Sequence, residues 1–123
     1  MKYLIQPLEK HEQQSFLHWF NLQYPMFKDN IFVNLESSKR SLEYASILKK
    51  QGMKRGRPDI EILIPNEHYH GLFIEMKRVK HGKVSEDQKK ILATLNAHNY
   101  KAVVCFGWEE ARQVTLDYLP LKS

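Results

Sequence analysis

The sequence predicts an α/β domain built on a mixed β-sheet with helices on both faces. Two observations carry this. Short apolar or alternating runs with strand character are interleaved with longer segments whose apolar residues recur at helical spacing. Their order along the chain, α-β-α-β-β-α-β-α, implies a mixed sheet with helices on both sides. The 123 residues, 42% of them hydrophobic, suffice for one packed core. No repeat, low-complexity tract or Pro/Gly/Ser linker divides them, so residues 1–123 read as one domain.

Each element has its own signal. Residues 7–24 are expected to be helical, with Leu8, Phe16, Trp19 and Phe20 along one face. "NIFVNL", 30–35, is a short strand. "SSKRSLEYASILKKQGM", 37–53, opens with N-cap serines, carries Leu42, Ala45 and Leu48 as an apolar stripe and stops near Gly52. Strands follow at Asp59–Ile64 and Leu72–Lys77, joined by the polar turn "PNEHYHG". Ser85 begins a third helix in a capping-box pattern with Gln88. "KAVVCF" is a continuous apolar run suited to a buried strand. "WEEARQVTLDYL" forms the last helix, ended by Pro120.

Composition narrows the function. Lys and Arg number 19 against 14 acids, a net charge of +5, which favours polyanionic partners. The cations cluster in "KKQGMKRGR" and "KRVKHGK", on either side of the paired strands. Either cluster is equally readable as a solvated face. No apolar run approaches the ~20 residues of a membrane span, and the N-terminus lacks the pattern of a secretion signal. One cysteine, Cys105, excludes a disulfide within the chain and reads as a small core hydrophobe. A cytoplasmic protein is expected.

The chemistry-bearing stretch is "GRPDIEILIPNEHYHGLFIEMKR", 56–78. Strand alternation sets Asp59, Glu61 and Leu63 on one face, and Phe73, Glu75 and Lys77 on one face of the next strand. In a simple hairpin, opposed residue numbers sum to roughly 134–135, which brings Asp59 beside Glu75. Two carboxylates that close repel unless a proton or cation lies between them. All-oxygen ligation suits Mg²⁺ or Mn²⁺. Lys77 returns to the same face and can act on a water or on phosphate charge. The plainer reading is a set of cross-strand ion pairs on a wet face. Glu12 interrupts the apolar stripe of its helix. It reads as a surface residue or as a further metal or water ligand. Gln88 either only closes its capping box or also faces the site. His68 and His70 lie in a polar turn without further ligands and read as solvent-exposed. Tyr24, Trp19 and Trp108 read as core.

The string "GRPD…IEMK" resembles the PD-(D/E)xK nuclease motif. The wider pattern is more specific. Glu12 with its neighbouring glutamines, "RSLEYASILKKQGMKRGRPD", and "GLFIEMKRVKHGKVSEDQKKILATLNAHNYKAVVCFG" resemble the VRR-NUC family of that superfamily over roughly residues 9–119. The resemblance implies a restriction-endonuclease-like fold and Mg²⁺- or Mn²⁺-dependent hydrolysis of DNA. It also implies homodimers acting on branched DNA such as Holliday junctions, as in stand-alone bacteriophage members. By matching position, Asp59 and Glu75 would bind metal and Lys77 would serve the attacking water. Met76 would offer its backbone carbonyl, with Glu12 and Gln88 in support. One region departs: Asn34 stands where members often show Asn-Gly, without the glycine.

On this reading Lys49, Lys50, Lys54, Arg55, Arg57, Arg78, Lys80 and Lys83 are candidates for the DNA phosphates. No base-reading helix is evident, so structure selectivity is expected rather than sequence readout. The competing class is a non-catalytic DNA-binding module or accessory subunit on a nuclease scaffold. A third is a metal-free protein with an ion-paired sheet.

Overall fold

The computed structural model describes residues 8–35 and 42–120. In chain order they form α1 (Glu9–Gln23), a 3₁₀ turn (Pro25–Phe27), β1 (Ile31–Val33), α2 (Leu42–Lys50), β2 (Ile60–Ile62) and β3 (Leu72–Lys77). Then come α3 (Glu86–Ala97), β4 (Lys101–Phe106) and α4 (Trp108–Tyr118). The expected element order is present. The strands lie in the order β1-β2-β3-β4. β1, β2 and β3 are antiparallel, and β4 runs parallel to β3 after the α3 crossover.

One face of the sheet is apolar. Ile60, Ile62, Leu72, Ile74, Met76 and Cys105 are fully buried there with Phe16 and Phe20 of α1 and Ala111 of α4. Phe16, Phe20 and Tyr24 recur every four residues, so their rings follow one another down the buried side of α1, 6.1 and 5.2 Å apart. Each such ring contributes about 1.5–3 kcal/mol by leaving water. Trp19 and Trp108 pack against this core while partly buried. Burial pushes the Cys105 thiol up to about 12, with Glu110 adding to the rise, so it behaves as a core hydrophobe. The opposite face carries a smaller cluster, Phe73, Ala102 and Leu92, under α3.

Three expectations fail in instructive ways. α2 covers neither face: none of its residues is buried, and Leu42 is 91% exposed. Its stripe of three apolar residues is too narrow to be drawn down. The N-cap serines expected for it lie outside the described residues. Leu8 precedes α1 as its N-cap residue rather than joining the buried stripe. "KAVVCF", expected as a buried strand, is an edge strand and only partly buried: Ala102 and Cys105 are buried while Phe106 is exposed. Its free edge is blunted locally: the Asn96 amide both accepts from Ala102 N–H and donates to Ala102 C=O, each at 3.0 Å. Among the described residues no helix is long and apolar enough to cross a membrane.

Candidate active site

β2 and β3 pair Ile60 with Ile74, Glu61 with Phe73 and Ile62 with Leu72, a sum of 134 in each case. Continuing that register sets Asp59 across from Glu75, as the hairpin argument required. The aspartate lies one residue before β2, where the chain leaves Gly56-Arg57-Pro58. Gly56 has φ +90°, and a Cβ there would stand 2.7–2.8 Å from the backbone of Asp87 and Gln88. Only glycine allows this loop to lie against the first turn of α3. Asp59 and Gln88 therefore reach Glu75 from two elements locked together at one point.

Glu75 is 2% exposed and Lys77 6% exposed. Glu75 Oε2 accepts from Gln88 Nε2 at 2.9 Å and lies 3.5 Å from Lys77 Nζ. Gln88 also closes the capping box of α3 with Ser85. Gln88 thus closes its capping box and also faces the site. Asp59 Oδ2 accepts from Met76 N–H at 2.8 Å. In the same register Pro58 faces Met76, and proline has no N–H to offer the Met76 carbonyl. The proline thus withholds a ladder donor from the one backbone oxygen that the motif assigns to a cation.

Glu75 Oε1 is buried without any hydrogen-bond partner, the one such side-chain atom among the described residues. The Asp59 carboxylate, a second acceptor, stands beside the Glu75 carboxylate. The two can share a bond only if a proton or a cation joins them. Burial pushes the Glu75 carboxyl up from 4.5 to about 8; Asp59 adds to the rise and Lys77 opposes it. An orphaned buried oxygen beside a second carboxylate fits a hard divalent cation. Asp59, Glu75 and the Met76 carbonyl are the oxygen donors that could contribute to holding such an ion. Among the described residues no group of three or more His, Cys, Asp or Glu forms a complete metal cluster.

Glu12 is buried, at 4% exposure, but in α1 and hence in the layer across the sheet from Glu75. Its Oε1 accepts from Trp108 N–H at 2.9 Å. The N-cap residue of α4 is Gly107, which has no side chain to cap the helix. Glu12 supplies the missing acceptor at a helix N-terminus. Gly107 N–H in turn donates to Lys77 C=O at 2.8 Å, so Glu12 stands at the same end of the sheet as the acid pair.

The two basic loops frame that end, one entering Asp59 and one leaving Lys77. Lys49, Lys50, Lys54, Arg55, Lys80 and Lys83 are exposed and Arg78 is half-buried. Arg57 differs from the other candidates because its guanidinium is committed to Glu61. Burial pushes the Glu61 carboxyl up, but hydrogen bonds from Arg57 and Asn34 outweigh it and hold the group below its usual range. Sequence reasoning missed this locked acid; its signal was the Arg57–Glu61 spacing of four beside an acid on the Asp59 face. His68 and His70 are exposed.

The family model described as "VRR-NUC domain" matches residues 3–108. A solved structure described as "VRR_NUC domain protein" is similar at 29% identity and a TM-score of 0.83. The match covers 98% of this chain and 94% of that one. No curated protein matches the chain.

Proposed function

The chain belongs to the VRR-NUC domain family, a nuclease family. From that premise we propose that it is a divalent-metal-dependent deoxyribonuclease acting at Asp59, Glu75 and Lys77. The observation that carries this reading is the buried, unpartnered Oε1 of Glu75, on a carboxylate that stands beside a second one, that of Asp59. Burying such an oxygen costs stability with no return to the fold, so its purpose lies in what it binds.

Asp59, Glu75 and the Met76 carbonyl would hold Mg²⁺ or Mn²⁺, which when bound would supply Lewis acidity for phosphodiester hydrolysis. Gln88 fixes the Glu75 carboxylate through Oε2 and leaves Oε1 without a partner. Lys77, beside Glu75 and excluded from bulk water, orients the attacking water and stabilises charge developing on the phosphate. Glu12 has one oxygen committed to Trp108 and supports the site from across the sheet end through the other. The basic loops bind the DNA backbone without reading sequence. With no recognition helix among the described residues, selectivity falls on DNA shape, as at four-way junctions. Two copies would serve such a substrate, and the exposed Leu35, Leu42 and Ile47 give them apolar surface to join.

The test is cleavage of linear, flap and four-way-junction DNA with Mg²⁺, Mn²⁺ or EDTA. Wild type should cut the junction with metal and cut nothing in EDTA. Lys77→Ala should bind DNA and leave it whole. Binding without cleavage in every metal would make the chain a DNA-binding module instead.

A further inference from the structure

Asn34 and Glu61 have no part in the chemistry just described, yet they form a dense polar cluster on the active-site face. Asn34 N–H donates to Asp59 C=O at 2.7 Å. Its side-chain Nδ2 donates to Pro58 C=O and to Glu61 Oε2, each at 2.7 Å. Glu61 Oε2 also receives the Arg57 guanidinium. We propose that Asn34 is a positioning residue. From the neighbouring strand it fixes the backbone on both sides of Asp59, and so sets where that carboxylate stands against Glu75.

Two carbonyls in succession, Pro58 and Asp59, are held by one residue, which leaves the peptide between them no freedom to rotate. A carboxamide nitrogen has two hydrogens, and both are used here, one on the chain before Asp59 and one on Glu61 after it. Serine or threonine would offer a single donor. The need for such a clamp is local. Asp59 precedes the regular part of β2, and Pro58 cannot donate to the ladder that would otherwise hold this stretch. Asn34 replaces that lost restraint. Arg57 keeps Glu61 ionised and in place as the far anchor. The position also accounts for the departure in sequence noted above: the asparagine is needed for its amide, and the residue after it, Leu35, is exposed and makes no part of the clamp.

The assignment rests on the metal-dependent reading, and its test separates the two. Wild type and Asn34→Ala are compared by Mn²⁺ titration calorimetry, by junction-cleavage kinetics, and by hydrogen exchange of the Met76 amide without metal. The Met76 N–H bonds Asp59 directly, so it reports the aspartate's position without any cation. Asn34→Ala should bind Mn²⁺ about 10-fold more weakly and lose about 30–100-fold in kcat, with KM for DNA within about threefold, since an ångström of misplacement costs rate rather than binding. Its Met76 amide should exchange about 10-fold faster. Mn²⁺ affinity and Met76 exchange at wild-type values would overturn the proposal, as would a loss confined to KM, which marks a DNA contact. If Asn34→Ala does not fold, Asn34→Asp keeps the shape but meets Pro58 C=O and Glu61 with no donor. It should show the same losses, and wild-type affinity there is equally fatal. If wild type itself neither binds Mn²⁺ nor cuts, the nuclease reading falls, and Met76 exchange still decides whether Asn34 sets the backbone.

Discussion

On the α1–α4 side of the sheet, Ile60, Ile62, Leu72, Ile74 and Met76 are sealed by Phe16 and Phe20. On the α3 side the alternate residues of the same strands are Glu61, Phe73, Glu75 and Lys77, and these are buried as well. The first face is stabilised by apolar area. The second is stabilised by specific donors: Arg57 and Asn34 for Glu61, Gln88 and Lys77 for Glu75. A hydrophobic face is insensitive to small displacement, whereas a hydrogen-bonded one fixes each atom. That is the kind of face a reaction needing fixed geometry requires, and the proposed site lies on it.

The sharpest way to break the contrast is within a single residue. Glu75→Gln should reduce cleavage by about 10³-fold or more, on the order of 4 kcal/mol of transition-state stabilisation, measured in single turnover. The same change should stabilise the metal-free protein at alkaline pH. The wild-type carboxyl, raised from 4.5 to about 8, binds its proton more tightly folded than unfolded. Its contribution to stability is therefore complete below pH 4.5 and is lost as pH climbs through 8. Thermal unfolding of the metal-free wild type should fall across that window, while Glu75→Gln stays flatter. Added Mg²⁺ should restore the wild type at high pH, because the cation takes the proton's place. Mg²⁺ affinity should accordingly rise by up to tenfold per pH unit until about pH 8.

Phe20→Ala tests the other face. Removing a fully buried ring from α1 should cost about 3–5 kcal/mol, read by urea unfolding. The folded fraction should keep wild-type kcat. A kcat that falls with stability would mean the apolar layer also sets the geometry of the acids, and the division between the faces would fail.

What the sequence made legible follows the same line. Alternation alone put Asp59, Glu75 and Lys77 on one face, because period two is the most robust feature of a strand, and the hairpin register followed from the turn. The Asn34 clamp was not legible. It joins residues 24 and 27 positions apart, and nothing local distinguishes a turn asparagine from a cross-strand donor. Leu42 misled for the opposite reason: helical spacing states which residues share a side, not whether anything covers it. Gly56 shows how the gap closes. Its role is a contact with α3, visible only once the two elements meet. Gly56→Ala should cost about 2 kcal/mol from the left-handed φ and the Cβ clash. It should also loosen the Gln88–Glu75 bond, seen as weaker Mg²⁺ binding in proportion.

Glu12 belongs to neither side cleanly, and its substitution has the smallest expected effect and the finest resolution. It lies in the apolar layer and caps α4 through Oε1, yet Trp108 follows the Gly107 that holds the end of β3. Glu12→Gln keeps an acceptor for Trp108 N–H and loses only the charge. At a helix N-terminus that charge is worth about 0.5–1 kcal/mol, so unfolding should shift by no more than a few degrees. A carboxylate that supports the site through water, from across the sheet end, should lower Mg²⁺ affinity by about threefold on removal of its charge. Calorimetry with Mg²⁺ reads this directly. A loss beyond about tenfold would place Glu12 among the ligands themselves, because only direct ligation has that leverage. The chemistry would then draw on both layers, and the boundary between the faces would run through α1 rather than along the sheet.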